Sequence, residues 1–249
     1  KGGVVASPVE AAKLSTGLYN LPTLVDLRMN KFSSADAVYQ YAYTNYWLRP
    51  GAEHRLLIGL PPGPSGLRDY AIATKAIVVW LDAGSVNDPM QKTLLDSFYQ
   101  SMKAGSSYAG WFPSEVSGVR ETSTYGIATF AADLAQNIIV LGAGSHTIRH
   151  RPPLSPYPVL QNKIYVSLFM SDGDNIQLDQ HLLPQKWADP LRGSVPMGWT
   201  IDPALVDMAP AILNYYWRTA SKNDELVAGP SGAGYVYPDH MSDAALNTY

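Results

Sequence analysis

The chain has 249 residues, 46% hydrophobic and 16% charged, with 18 basic against 21 acidic side chains and a formal charge of −3. That length and apolar content allow one large core, as in β/α barrels of roughly 200 to 250 residues. Without cysteine there are no disulfides or thiolate sites, no basic run suits nucleic acid, and no apolar run approaches the roughly 18 residues of a membrane span.

Short apolar runs alternate with longer stretches whose apolar residues fall three or four apart, the pattern of buried parallel strands joined by helices. The start, Lys1-Gly2-Gly3, is that of a processed form or an internal fragment. Thr23 to Leu27 reads as a first strand. Ser33 to Asp36 then opens a helix with Val38, Tyr39, Ala42, Tyr46 and Trp47 as its buried stripe. Arg55 to Leu60 and Ala76 to Leu81 read as strands, and Asp88-Pro89 starts a helix to about Met102. Tyr108 to Phe112 is a further strand; Tyr125 to Leu134 is predicted helical and Ile138 to Leu141 extended.

A long loop with four prolines covers Gly142 to Pro158. After it come a strong strand at Lys163 to Met170, another at Val195 to Trp199, a helix from Pro203 to about Ala220, and a strand at Glu225 to Ala228. Ser242 begins a terminal helix. The expected fold is α/β: a (β/α) barrel or incomplete barrel with parallel strands and outer helices. Residues 1–70 are an N-terminal segment, part of a preceding domain or the first β/α units, and residues 71–249 form the barrel-like domain.

In parallel β/α architectures the strand C-terminal ends share one face, where ligands and catalytic groups collect. Asp82, Glu115, Asp172, Asp174, Asp202 and Tyr235 each follow a predicted strand, so they are expected to converge. Asp172 and Asp174, in Ser171-Asp172-Gly173-Asp174-Asn175, could bind a cation, position a sugar hydroxyl or shuttle protons; alternatively Asp174 only caps the next helix. Glu115 follows Trp111-Phe112-Pro113-Ser114, an aromatic strand end suited to sugar stacking. Asp202-Pro203 reads most simply as a helix cap, and Asp82 as a site residue or an ordinary loop acid. His146 and His150 have a zinc-like i, i+4 spacing, but the crowding glycines and prolines oppose a helix there. Neither a metal nor a cofactor is expected.

Gly232-Ala233-Gly234-Tyr235-Val236-Tyr237-Pro238 matches letter for letter the pattern naming the GxGYxYP family, bacterial proteins to which glycoside hydrolase activity is attributed. Gly110-Trp111 with Glu115, the Ser171 to Asn175 run, Gly198-Trp199-Thr200 with Pro203-Ala204-Leu205, and Ala228-Gly229-Pro230-Ser231 also resemble it. Together they span about residues 75 to 240. The resemblance implies carbohydrate processing in a secreted or periplasmic setting, on the family's C-terminal, barrel-like domain.

On the residues themselves, Gly232 and Gly234 let the backbone turn tightly near a ligand, with Tyr235 and Tyr237 expected on alternate sides. The leading expectation is a glycoside hydrolase acting on a polysaccharide or oligosaccharide. Two carboxylates among Glu115, Asp172 and Asp174 would serve as acid and base or nucleophile. Trp111, Tyr235, Tyr237, Trp199, Asp202 and Asp82 would contact the sugar. The alternatives are a metal-dependent polysaccharide deacetylase or esterase using His146 and His150, and a non-catalytic glycan-binding domain.

Overall fold

The computed structural model describes residues 8–16, 19–23, 25–63, 65–86, 88–143, 147–148 and 159–249. In chain order the first elements are α1 (Pro8–Ser15), α2 (Ala35–Ala42), β1 (Leu56–Gly59), α3 (Arg68–Thr74), β2 (Ile77–Val79), α4 (Pro89–Ser101), β3 (Ser107–Gly110), α5 (Glu115–Thr124), β4 (Ala128–Ala131) and α6 (Ile138–Gly142). Then follow β5 (Phe169–Met170), α7 (Ile176–His181), α8 (Leu183–Trp187), β6 (Met197–Ile201), α9 (Leu205–Met208), α10 (Pro210–Thr219), β7 (Asp224–Ala228) and α11 (Asp243–Thr248).

The strands form two parallel sheets, ordered β2-β1-β3-β4 and β5-β6-β7. The architecture is therefore mixed α/β with parallel sheets and outer helices. A parallel bridge between Ala131 and Asn175 brings the end of β4 to the loop after β5, and an antiparallel bridge joins Thr129 to Tyr235. The second half of the chain is thus tied to the first at strand C-terminal ends.

Both faces of the larger sheet are covered, which is why its strands read as continuous apolar runs. Leu57 packs in one core cluster with Val79, Leu95, Phe98 and Tyr108, while its neighbour Ile58 packs in another with Ala109, Phe130 and Ile138. Alternate side chains point to opposite faces, so β1, β2 and β3 each serve two cores. Capping follows the sequence: Ser34 Oγ accepts from Ala37 N–H, Asp88 from Met90 N–H ahead of Pro89, and Ser242 from Ala245 N–H.

Five expectations about the elements are corrected. Thr23 to Leu27 is not a strand among its described residues; Asp26 accepts the Arg28 N–H and bends the chain into a 3-10 turn over Leu27–Asn30, with Val25 exposed. Residues 125–134 hold β4 rather than a helix, since Gly126 takes φ +69° and ends α5. Ile138 to Leu141 is the helical piece instead. Both runs are short and apolar, and periodicity cannot separate helix from strand at that length.

The helix expected from Pro203 to Ala220 is split between α9 and α10, because Pro210 has no N–H to continue the ladder. Of Lys163 to Met170 only the last two residues pair as strand, at the open edge of the smaller sheet, and Ile164 and Val166 are 91% and 77% exposed. Among the described residues no helix is long and apolar enough to cross a membrane.

Candidate functional site

The loop after β5 carries the first pair of acids. Thr200 on β6 holds it in place: its hydroxyl donates to the Met170 carbonyl at 2.7 Å and accepts the Gly173 N–H at 2.9 Å. A Cβ on Gly173 would lie 2.1 Å from the Thr200 carbonyl carbon, so the loop can sit on β6 only with glycine there. Asp172 pays for the sharp bend with φ +80°, a left-handed conformation that costs a non-glycine residue about 1 kcal/mol or more. Asn175 then caps α7 by accepting the Leu178 N–H, so the cap is Asn175 and the Asp174 carboxylate is left to face the cavity. Gly173→Ala is expected to cost about 3 kcal/mol as the loop is pushed off β6. A urea melt with an unchanged midpoint would contradict this packing.

Glu115 arrives from the other sheet, at the first position of α5 just beyond β3. Asp82 supports that junction by accepting from Ser114 Oγ at 3.0 Å and from Gly84 N–H at 2.8 Å. The Gly232 to Pro238 segment forms the third side. Gly234 takes φ +78°, and a Cβ there would lie 2.6 Å from the Thr129 carbonyl oxygen. Closeness to β4 lets Tyr235 N–H donate to that oxygen at 2.6 Å. The Tyr235 ring lies nearly parallel to Trp111, centroids 6.3 Å apart at 21°. Its hydroxyl donates to Glu115 Oε1 at 3.5 Å and lies 3.3 Å from the Tyr237 hydroxyl. The two tyrosines therefore share a side rather than alternate, as residues two apart in extended chain must.

These pieces enclose a cavity of about 340 Å³ lined by Trp111, Glu115, Asp172, Asp174 and Tyr235, with Ala131, Ser171, Asn175, Pro230 and Ser231 completing the wall. Asp172 faces solvent, whereas Asp174 is only 8% exposed. Burial pushes the Asp174 carboxyl above the usual carboxylate range, and the neighbouring charges of Asp172 and Glu115 push it further. Partial burial of the Asp172 carboxyl, at the mouth of the cavity, raises it too. The Tyr235 hydroxyl is also raised, chiefly by its hydrogen bond with Tyr237 and then by burial.

The remaining expected contacts lie outside this wall. Trp199 is a correction: its β6 position turns the ring into the core, 3% exposed, where its indole N–H donates to Asp224 at 2.9 Å and its ring meets Trp187 edge-on. Asp82 and Tyr237 stand behind Glu115 and Tyr235 as supports. Asp202 is fully buried, its Oδ1 accepting the Ala204 N–H at 2.9 Å as a cap would. His146 and His150 lie outside the described residues. Among the described residues no cluster of three His, Cys, Asp or Glu side chains is placed to hold a metal ion.

Asp179 escapes sequence reasoning. It is fully buried beneath the site, and its Oδ2 accepts the Asp202 N–H at 3.0 Å. The signal was its place in α7, three residues from Ile176 and four from Leu183, on the helix's apolar face. Burial raises both acids, Asp202 to about 7 and Asp179 well above its ordinary value.

Residues 162–249 match the model described as "GxGYxYP putative glycoside hydrolase C-terminal domain", and residues 54–143 match "GxGYxYP third domain". A solved structure titled as "a putative hydrolase from Bacteroides thetaiotaomicron VPI-5482" superposes with a TM-score of 0.73 at 29% identity, over 85% of this chain and 41% of that one. The chain thus spans about two fifths of that neighbour's length. No curated protein matches it. The two matched regions carry the two sheets in order, and the namesake heptapeptide closes the cavity between them: the chain belongs to the GxGYxYP family.

Proposed function

We propose that the cavity is a glycoside hydrolase centre in which Asp174 donates the proton to the departing glycosidic oxygen and Glu115 is its partner carboxylate. One observation carries this reading: a buried carboxyl whose ionisation is opposed by burial and by neighbouring acids shares a cavity with a solvent-facing carboxylate from the opposite sheet. Glycoside hydrolysis needs such a pair, one acid keeping its proton and one ionised. Glu115 is favoured over Asp172 as the partner because Tyr235 directs a hydroxyl at it, whereas Asp172 shares a loop with Asp174 and is suited to hold sugar hydroxyls. The near-parallel rings of Trp111 and Tyr235 supply the apolar wall a sugar face needs.

The family model's description and the neighbour's title agree with this class of reaction. On this reading the two sheets are arcs of one incomplete β/α barrel meeting at the Ala131–Asn175 bridge, and a secreted or periplasmic setting suits the activity. The test is reducing-sugar release from a panel of oligosaccharides by the wild type and by Glu115→Gln, with the first-formed anomer read by NMR. Activity confined to the wild type, with a single anomeric outcome, is expected. Undiminished release by Glu115→Gln would remove Glu115 from the pair.

A further inference from the structure

The cavity wall is unbalanced in charge. Glu115, Asp172 and Asp174 line it, and no lysine, arginine or histidine among the described residues does. The other lining residues with polar side-chain groups are Ser171, Ser231, Tyr235, Asn175 and Trp111. Behind Asp174 lie two further acids, Asp202 and Asp179, whose burial opposes their ionisation and which offer no balancing cation. A lone carboxylate in a sugar site is commonplace, but two, Glu115 and Asp172, beside the acid Asp174 and with no facing cation, make a field that any bound group must enter.

We propose that the cavity sorts sugars by charge, accepting neutral and amine-bearing residues and rejecting those that carry a carboxylate or a sulfate. This rests on the sugar-processing reading above and adds the class of substrate to it. A neutral sugar meets the wall through hydroxyl donors, which carboxylates accept in charge-assisted hydrogen bonds. An ammonium group gains more, from the acids and from the faces of Trp111 and Tyr235, whose rings attract cations. A uronic acid or sulfated residue loses its hydration and meets like charge on Glu115 and Asp172 with no cation to offset it. Specificity of this kind comes from repulsion of the wrong ligand as much as from contacts to the right one.

The experiment uses Asp174→Asn, which keeps the shape and neutral form of that side chain while sparing the bound glycan. Probed on an array of neutral, amine-bearing, uronic and sulfated oligosaccharides, it is expected to bind members of the first two classes. Calorimetric titration of a bound glycan and its carboxylated counterpart should show at least about tenfold weaker binding of the acid, roughly 1.4 kcal/mol. The gap should narrow as salt rises. Ser231→Lys, which adds a cation to the wall, should narrow it severalfold at constant salt.

Binding led by uronic or sulfated glycans would overturn the charge rule while leaving the sugar reading intact. No binding to any glycan, with no turnover by the wild type, would remove the sugar reading and the charge rule with it.

Discussion

Asp174→Asn is expected to lower kcat by about a thousandfold, roughly 4 kcal/mol of transition-state stabilisation, on substrates whose leaving group is another sugar. A sugar alkoxide is a poor leaving group and needs its proton as the bond breaks. Asp174 is suited to hold that proton because burial and the charges of Asp172 and Glu115 oppose its ionisation. The amide keeps the volume and carries no charge, so the thermal midpoint should stay within a few degrees. On an aryl glycoside with an acidic phenol the loss should be far smaller, since that group leaves without help. Equal losses on both substrates would show that Asp174 is not the acid.

Much of the fold was legible because buried parallel strands leave a strong mark. The runs at residues 55–60, 76–81, 195–199 and 225–228 each hold a strand, and caps such as Ser34 and Asp88 mark helix starts that need no tertiary partner. What failed was set by tertiary context. Residues 128–131 form a fully buried strand because they pair with β3, and no local period announces that. Trp199 looked like a ligand platform at a strand end, yet which face of a strand is inward cannot be told when both are apolar.

The gathering of Glu115, Asp172, Asp174 and Tyr235 on one cavity needs only the order of elements, since parallel strands deliver their following loops to the same side. Their division of labour was not legible. It depends on Asp174 being covered while Asp172 is not, and that difference is made by glycines at 173 and 229 that let three backbone segments pack in contact.

The buried acids beneath the site lead to the second large expected effect, on stability rather than rate. Asp202 is raised to about 7 by burial first and by Asp174 next. Asp179 is raised in the same direction, by burial first and also by Asp202, Asp174 and Asp172, and the Tyr216 hydroxyl is committed to the Asp179 carbonyl. Among the described residues one oxygen of each acid, Asp202 Oδ2 and Asp179 Oδ1, lacks a hydrogen bond of normal geometry. Ionising either group therefore puts a charge into a buried, acid-rich setting.

A carboxyl whose folded pKa lies above its unfolded value binds its proton more tightly in the folded state. Its contribution to stability is then full below the unfolded pKa and is lost as pH rises through the folded one. For Asp202 that window runs from about 4 to about 7, and roughly 3 kcal/mol should be lost between pH 5 and pH 8. Asp224 does not offset this. Although burial opposes its charge, hydrogen bonds from Ser221 and Trp199 and the Arg192 guanidinium hold its pKa low, so its contribution is lost only on the acid side of the window. Urea unfolding of the wild type should therefore show a higher midpoint at pH 5 than at pH 8. Asp202→Asn keeps an oxygen to accept the Ala204 N–H and cannot ionise, so it should reduce that slope, leaving the part due to Asp179. A wild type equally stable at both pH values, or a variant retaining the full slope, would show that Asp202 keeps no proton in the folded chain.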